Sequence, residues 1–281
     1  MTMSKRPLSV KILFALPLAV TLAWALLGAA QTYPFSTPLN AGKLFGMKAE
    51  NSDGQKIGTV RNLIIDTRSG ELKYAVIGSG GFFGVRSTLK LAPAQIMSAG
   101  TAKRDTVAVF VTGEQWRLAP VFKASSLVSL GDPVSAREIA RYFGLSSGKS
   151  TNNSRYHLST TGRDLEQRTS APAVLKFASD LIGQRVVNQK QEKIGEVIDL
   201  LVSFGPPRPA FAIISTGRFL RHDHEYAVPL EALHPTDSSR KWMLNADATT
   251  LQNAPIFDDR AWESRSTNGG AQIYWYSKSE D

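Results

Sequence analysis

"KIGTVRNLIIDTRSGELKYAVIG", Lys56 to Gly78, is followed 137 residues later by "KIGEVIDLLVSFGPPRPAFAII", Lys193 to Ile214. Lys56, Ile57, Gly58, Val60, Leu63, Ala75 and Ile77 recur at that one offset as Lys193, Ile194, Gly195, Val197, Leu200, Ala212 and Ile214. Ile64/Leu201, Ile65/Val202, Tyr74/Phe211 and Val76/Ile213 are conservative matches in the same ungapped alignment. Chance rarely produces this, so the chain carries a duplicated unit. Later landmarks extend it: Pro93 matches Pro229, and "LAPVF" at Leu118–Phe122 matches "NAPIF" at Asn253–Phe257. The repeat therefore runs from about Gly46 to Phe122 and from about Gly183 to Phe257.

The period within each unit is that of strands. Asn51-Ser52-Asp53-Gly54 is a polar turn between two short runs, a hairpin signal. Lys56 to Asp66 reads as a long strand rich in β-branched residues, and Leu72, Tyr74 and Val76 alternate along the next. Between them "DTRSG" is a turn in which Gly70 takes positive φ and Asp66 accepts from the turn backbone. "STLKLAP" and "DTVAVFV" supply further strands. Five or six short antiparallel strands in about seventy residues suggest a small barrel, because closure leaves no exposed edge. The second unit puts Pro206-Pro207-Arg208-Pro209 where the first has its turn, which implies a stiff loop instead of a paired hairpin.

Each unit has a tail. Asp132-Pro133-Val134-Ser135 is an N-cap signal leading into a short helix that ends at Gly144. The second tail, "GGAQIYWYSK", carries a comparable Ile and aromatic cluster. Between the units, Ser146 to Ser170 holds ten Ser/Thr in twenty-five residues and reads as a linker.

Composition narrows the function. The chain has 281 residues, 42% hydrophobic and 20% charged, enough for two small domains. Its formal charge of +9 falls to +6 without Lys5, Arg6 and Lys11. No stripe of cations interleaved with aromatics is present, so no specific nucleic acid is expected. The absence of cysteine excludes disulfides, thiol catalysis and Cys-type metal sites. At the N-terminus a short basic region precedes nineteen apolar residues, Ile12 to Ala30. Gly28 and Ala30 are the small residues a secretory cleavage site requires. Export follows, either with cleavage after Ala30 or with residues 12–30 kept as an anchor, the remainder facing the periplasm.

The residues Gly46, Lys56-Ile57-Gly58, Val60, Leu63, Asp66, Gly70, Tyr74-Ala75-Val76, Gly80-Gly81-Phe82 and Pro93 together resemble the PRC-barrel family. The second unit matches through Gly183, Lys193-Ile194-Gly195, Val197, Leu200, Phe211-Ala212-Ile213 and Val228-Pro229, and departs from the pattern at Ser203 and Pro207. The resemblance implies a six-stranded β-barrel that binds other macromolecules and has no family-wide catalytic residue. Such modules are known from the H subunit of purple bacterial reaction centres and from a ribosome maturation factor. The expected fold is all-β: two small PRC-type barrels in tandem with short helical or irregular tails, after an N-terminal hydrophobic signal helix. The corresponding divisions are 1–30 (signal peptide or anchor), 40–125 (first barrel), 126–145 (helical tail), 146–172 (linker), 173–258 (second barrel) and 259–281 (aromatic tail).

Candidate chemistry is sparse. His222 and His224 in "RHDHEY" share a strand face and could ligate one ion with His234 or Asp237, against the plainer reading of a polar hairpin tip. No G-x-S-x-G is present, and "GSGGFFG" lacks the Lys-Ser/Thr of a phosphate loop. Phe82 and Phe83 beside Arg86, and Phe219 beside Arg218 and Arg221, are residue types that anchor protein interfaces. Ile57, Val60, Leu63, Ile65, Tyr74 and Val76 are expected in the core. The reading is a non-catalytic binding or scaffold protein of the bacterial envelope, with no cofactor, unidentified envelope partners and packing between its own barrels. The alternatives are a metal-dependent enzyme using the His222/His224 loop, and a ribosome or RNA accessory factor if the chain stays in the cytoplasm.

Overall fold

The computed structural model describes residues 38–80, 88–99, 105–145, 172–217, 224–236, 240–246, 251, 254 and 256–258. The expected signal helix lies outside them. Among the described residues no helix is long and apolar enough to cross a membrane.

The chain is mostly β, with two curled sheets and a few short helices. In the first repeat β1 (Leu39–Asn40) leads into the one-turn helix α1 (Ala41–Leu44), followed by β2 (Lys48–Glu50), β3 (Lys56–Asp66) and β4 (Glu71–Ser79). Then come β5 (Thr88–Pro93), β6 (Met97–Ala99) and β7 (Thr106–Val109). Three tail helices follow: α2 (Gly113–Leu118), α3 (Leu127–Leu130) and α4 (Pro133–Tyr142). The second repeat has β8 (Leu175–Phe177), the one-turn helix α5 (Ala178–Leu181), β9 (Arg185–Val187), β10 (Lys193–Val202) and β11 (Phe211–Ser215). It ends with β12 (Glu225–Pro229), β13 (Leu233–Pro235) and β14 (Lys241–Leu244).

The first sheet runs β5-β4-β3-β2-β7-β6, the second β12-β11-β10-β9-β14-β13. In each, the second strand of the repeat pairs parallel with the last, β2 with β7 and β9 with β14. The ends of these two paths are not joined by any pairing among the described residues, so each ladder is a curled half-barrel.

β3 is buried on both faces, which explains the unbroken apolar run Leu63-Ile64-Ile65. Val60, Leu63 and Ile65 belong to a core cluster that continues through Val197, Leu200 and Val202 of the second repeat. Ile64, Tyr74 and Val76 belong to a smaller cluster with Phe122, Leu130 and Leu175. Of the expected core residues and their counterparts in the second repeat, Ile57 and Phe211 are half-buried, Ile57 packed against the main cluster.

The two sheets exchange strands. β3 is far longer than its neighbour β2, and only its first half is covered by it. Its overhang pairs instead with β8 of the second repeat: Ile64 with Phe177, Ile65 with Lys176, Asp66 with Leu175. The reciprocal pairing sets β1 on β10: Leu39 with Val202 and Asn40 with Leu201. The helix starts repeat the symmetry. Gly42 donates its backbone N–H to Asp199 Oδ1 at 3.0 Å, and Ser179 donates its own to Asn62 Oδ1 at 3.3 Å. Gly42 and Ser179, like Asn62 and Asp199, are 137 residues apart, so the contact has approximate twofold symmetry. Leu44 and Leu181, one on each helix, are fully buried in the shared cluster.

Two departures from the repeat follow from this interface. Asp66 accepts the turn N–H of Arg68 at 3.1 Å and the Ser69 hydroxyl at 3.1 Å, as its place in "DTRSG" suggests, and Gly70 takes φ +70°. It also accepts the N–H of Val174 at 3.0 Å, tying the turn to the start of the second repeat. The Pro206–Pro209 loop lies on the other side of that turn. Ala210 donates to the Gly70 carbonyl at 2.7 Å, and Gly205 to Ala94 at 2.9 Å. Its prolines fall in the loop that joins the antiparallel β10–β11 pair, where that loop faces the first repeat.

The tails cover edges. Phe122 donates to the Leu89 carbonyl and Phe257 to the Glu225 carbonyl, both at 2.7 Å, so each of these equivalent phenylalanines is tied to the outer strand of its own sheet. Buried Lys90 donates to the Trp116 and Arg117 carbonyls, both at 2.7 Å, at the C-terminal end of α2. Burial, then the Arg117 charge, lowers its pKa. α4 begins at the expected cap, where Asp132 accepts from Val134 at 3.1 Å and Ser135 at 3.3 Å.

Two predictions follow. Ala173 donates to Gly131 at 3.0 Å, so the chain returns beside the start of α4, and the gap from Leu145 to Pro172 is about 15–20 Å. The intervening residues 146–171 could extend ~85 Å, far more than is needed. Deleting Asn152–Gln167 should change unfolding free energy in urea by less than about 1 kcal/mol, since loop entropy varies slowly with length. A large loss would place the linker among the structural elements. Separately, burial pushes the Tyr74 pKa up to about 12. The unfolded phenol ionises first, so stability should fall between pH 10 and pH 12 by about 2–3 kcal/mol from this group. Tyr74→Phe, which copies Phe211 of the other repeat, should remove that part of the alkaline loss in pH-dependent unfolding.

Candidate functional site

The residues singled out from sequence cluster at two loops. Phe82, Phe83 and Arg86 lie between β4 and β5; Arg218, Phe219, Arg221 and His222 lie between β11 and β12. All seven fall outside the described residues, as does Asp237. His224 is described. Its carbonyl accepts the backbone N–H of Thr216 at 3.1 Å and the Thr216 hydroxyl at 3.3 Å, closing the β11–β12 ladder. Its ring meets Tyr226 edge-on with centroids 6.4 Å apart. His234 is exposed on β13, in register with Met243. Among the described residues no three His, Asp or Glu side chains gather as a metal site.

What the structure does place is the ground from which the first loop leaves. At the start of β3 and the end of β4 lies a shallow polar depression of about 380 Å³, lined by Lys56, Ile57, Gly58, Thr59, Arg61, Gly78, Ser79 and Gly80. Its shape comes from two glycines and a bulge. A Cβ on Gly58 would sit 2.6 Å from the Gly78 carbonyl oxygen and 2.6 Å from Ile77 Cγ2, so the two strands approach too closely for any side chain there. Gly195 repeats this in the second sheet, 2.5 Å from Ile214 Cγ2 and 2.9 Å from the Ser215 oxygen. That close approach is the physical reason glycine stands at this position in both repeats.

The bulge falls one turn of the pleat further on. The β3–β4 register pairs Val60 with Ile77 and Asn62 with Val76, leaving Arg61 as the extra residue. A bulged residue is re-aimed out of the alternation of its strand. Arg61 lies across Gly78: a Cβ at Gly78 would meet its Cγ at 2.8 Å and its Nε at 2.9 Å. The second sheet bulges at the same place, between Val197 and Asp199, and puts Ile198 there, 39% exposed. Its Lys193, equivalent to Lys56, is paired with Glu196 at 3.3 Å, where the first repeat has Thr59. The bulge thus carries Arg61 in the first repeat and Ile198 in the second, while the lysine at the strand start faces Glu50 in the first and pairs with Glu196 in the second.

Sequence reasoning passed over Arg61 and Ile198, because both sit in the polar phase of a strand where any exposed residue fits. The available signal was their mismatch at one aligned position.

The contrast between the glycines gives a prediction. Gly58→Ala meets fixed backbone and should cost about 1–3 kcal/mol in unfolding free energy. Gly78→Ala meets the flexible Arg61 side chain and should cost much less while displacing it. Paired urea titrations check the difference.

Comparison with curated proteins finds no match. The family model described as PRC-barrel domain matches twice, over residues 39–115 and 174–252, the two segments that build the two sheets. With more than half of its length covered in this way, the chain belongs to the PRC-barrel domain family, as a tandem repeat.

Proposed function

We propose that this chain is a non-catalytic binding or scaffold protein of the bacterial cell envelope, in which two PRC barrels form one frame for partner-contacting loops. The family supports a non-catalytic module in general terms. The observation that carries the reading further is where the buried polar side chains are spent. Asn51 accepts from the N–H groups of Asp53 and Gln55, and Asn188 from that of Glu192. Asp66 holds its turn and Val174, Lys90 caps α2, and Thr67 and Thr216 donate to backbone carbonyls. Among the described residues these six buried polar side chains hold backbone in place, as a rigid display frame requires, whereas acid–base catalysis needs such groups turned toward a cleft.

The envelope assignment rests on the basic N-terminal region followed by Ile12 to Ala30. The loops at 81–87 and 218–223 leave equivalent ends of the two sheets and carry the Phe and Arg residues suited to interface anchors.

The test has two parts. Fractionation with N-terminal sequencing should find the protein in the envelope, beginning near Gln31 or intact in the membrane. A cytosolic, full-length chain that co-sediments with ribosomes in a salt-sensitive way would overturn the assignment. In-cell crosslinking should capture a partner. Replacing Phe82, Phe83 and Phe219 by Ser should reduce that capture at least tenfold with a nearly unchanged melting temperature. A large drop in melting temperature would instead make those side chains part of the core.

A further inference from the structure

We propose that the depression beside Arg61 is a docking site for an extended, acidic segment of a partner protein. The inference rests on the binding-module reading above and names the chemistry of one contact.

The shape is suited to a chain. The hollow follows the β3–β4 strand pair: Gly58 lets the two strands approach closely, the Arg61 stem lies over Gly78, and a side chain at Gly80 would meet nothing within 4 Å. The lining also brings Thr59 and Ser79, which can hydrogen-bond a passing backbone or a carboxylate. Among the described residues no carboxylate lines it. Glu50 faces Lys56 across the β2–β3 pairing but is not part of the lining, so Arg61 is the principal cation.

The spacing favours a segment over a single anion. Lys56 and Arg61 are five residues apart on one strand, about 16 Å along it. A lone phosphate is clamped by donors that converge on one point, while two cations so separated match carboxylates several residues apart on an extended chain. Arg61 is also held in advance. The bulge fixes its departure from the strand, and its stem lies on Gly78, so less side-chain freedom is lost when its planar guanidinium engages a carboxylate.

The second repeat is an internal control. It has the same bulge and the same close-approach glycine, yet Lys193 is paired with Glu196 and Ile198 stands in place of Arg61. The shared fold does not require a cation at the bulge, so Arg61 is not explained by the needs of the sheet.

The experiment measures fluorescence anisotropy of a labelled Glu-Ser repeat peptide with the full chain, against a Gln-Ser counterpart. Inorganic phosphate and phosphatidylglycerol vesicles serve as competing probes. The Glu-Ser peptide should bind, weaken with added salt, and weaken roughly fivefold in Arg61→Ile, with partial retention in Arg61→Lys. Glu196→Thr with Ile198→Arg should build the site into the second repeat and raise the stoichiometry from one peptide to two. That arm decides the matter even if Arg61→Ile folds poorly. Undiminished binding in Arg61→Ile together with no gain in the transplant would overturn the proposal. So would tight binding of vesicles without binding of peptide, or full displacement of the peptide by millimolar phosphate. In-cell crosslinking separates this inference from the reading beneath it. Full partner capture by Arg61→Ile, with loss in the Phe-to-Ser variant, would sink the acidic-segment site alone. A wild-type chain that captures no partner would sink the module reading, and the peptide result would then judge the site on its own.

Discussion

The structure depends on an overhang. β3 and β10 are each much longer than β2 and β9 beside them, and on that edge no described strand of the same repeat pairs with the remainder. Backbone N–H and C=O groups left bare along a strand are costly if buried and adhesive if exposed. Here each overhang is covered by the segment that enters the other repeat, β8 on β3 and β1 on β10. Once that pairing is made, α1 and α5 are delivered to the opposite sheet, and Leu44 and Leu181 complete one continuous core. Two small sheets that would be marginal separately share the burial of one larger domain.

The same constraint accounts for where the repeats stopped resembling each other. Positions that face inward in both halves kept their residues: Gly58 and Gly195, Val60 and Val197, Leu63 and Leu200. At the contact between halves Leu44 and Leu181 are also the same, but the turns that meet there diverged, because an approximate twofold places two different neighbours around two copies of one turn. Asp66 and Gly70 form a tight turn bound to Val174, while Ser203 and Pro207 belong to a loop that lies against Gly70. The bulge differs too: its extra residue is exposed in both sheets, Arg61 in one and Ile198 in the other.

Legibility followed locality. β3, β4, β10 and β11 could be read because their apolar residues repeat over many positions, and α4 because Asp132, Pro133 and Gly144 mark its ends within the chain itself. The exchange could not be read. β1 and β8 have two and three residues, too few to show any period, and their partners lie more than a hundred positions away. The bulge was hidden because one extra residue leaves an exposed, polar position looking ordinary. Closure into a barrel is expected from strand count; among the described residues the ladders curl with no pairing that joins their ends, and Phe122 and Phe257 bind the outer strand of each. Of the site, sequence supplied the loops, and structure supplied the surface from which one of them rises.

Strand exchange also sets the order in which the chain can finish. Ile65 is joined to Lys176, so the first sheet waits for a segment synthesised over a hundred residues later. Until then the β3 overhang is an open template, and any copy of this chain at the same stage presents an identical one. Completion is a late, long-range step of the kind that folds slowly, and the sheet formed first by order of synthesis is among the last to be sealed. A joined pair of repeats keeps the correct strand close at hand throughout that interval, which two separate chains would have to find by collision.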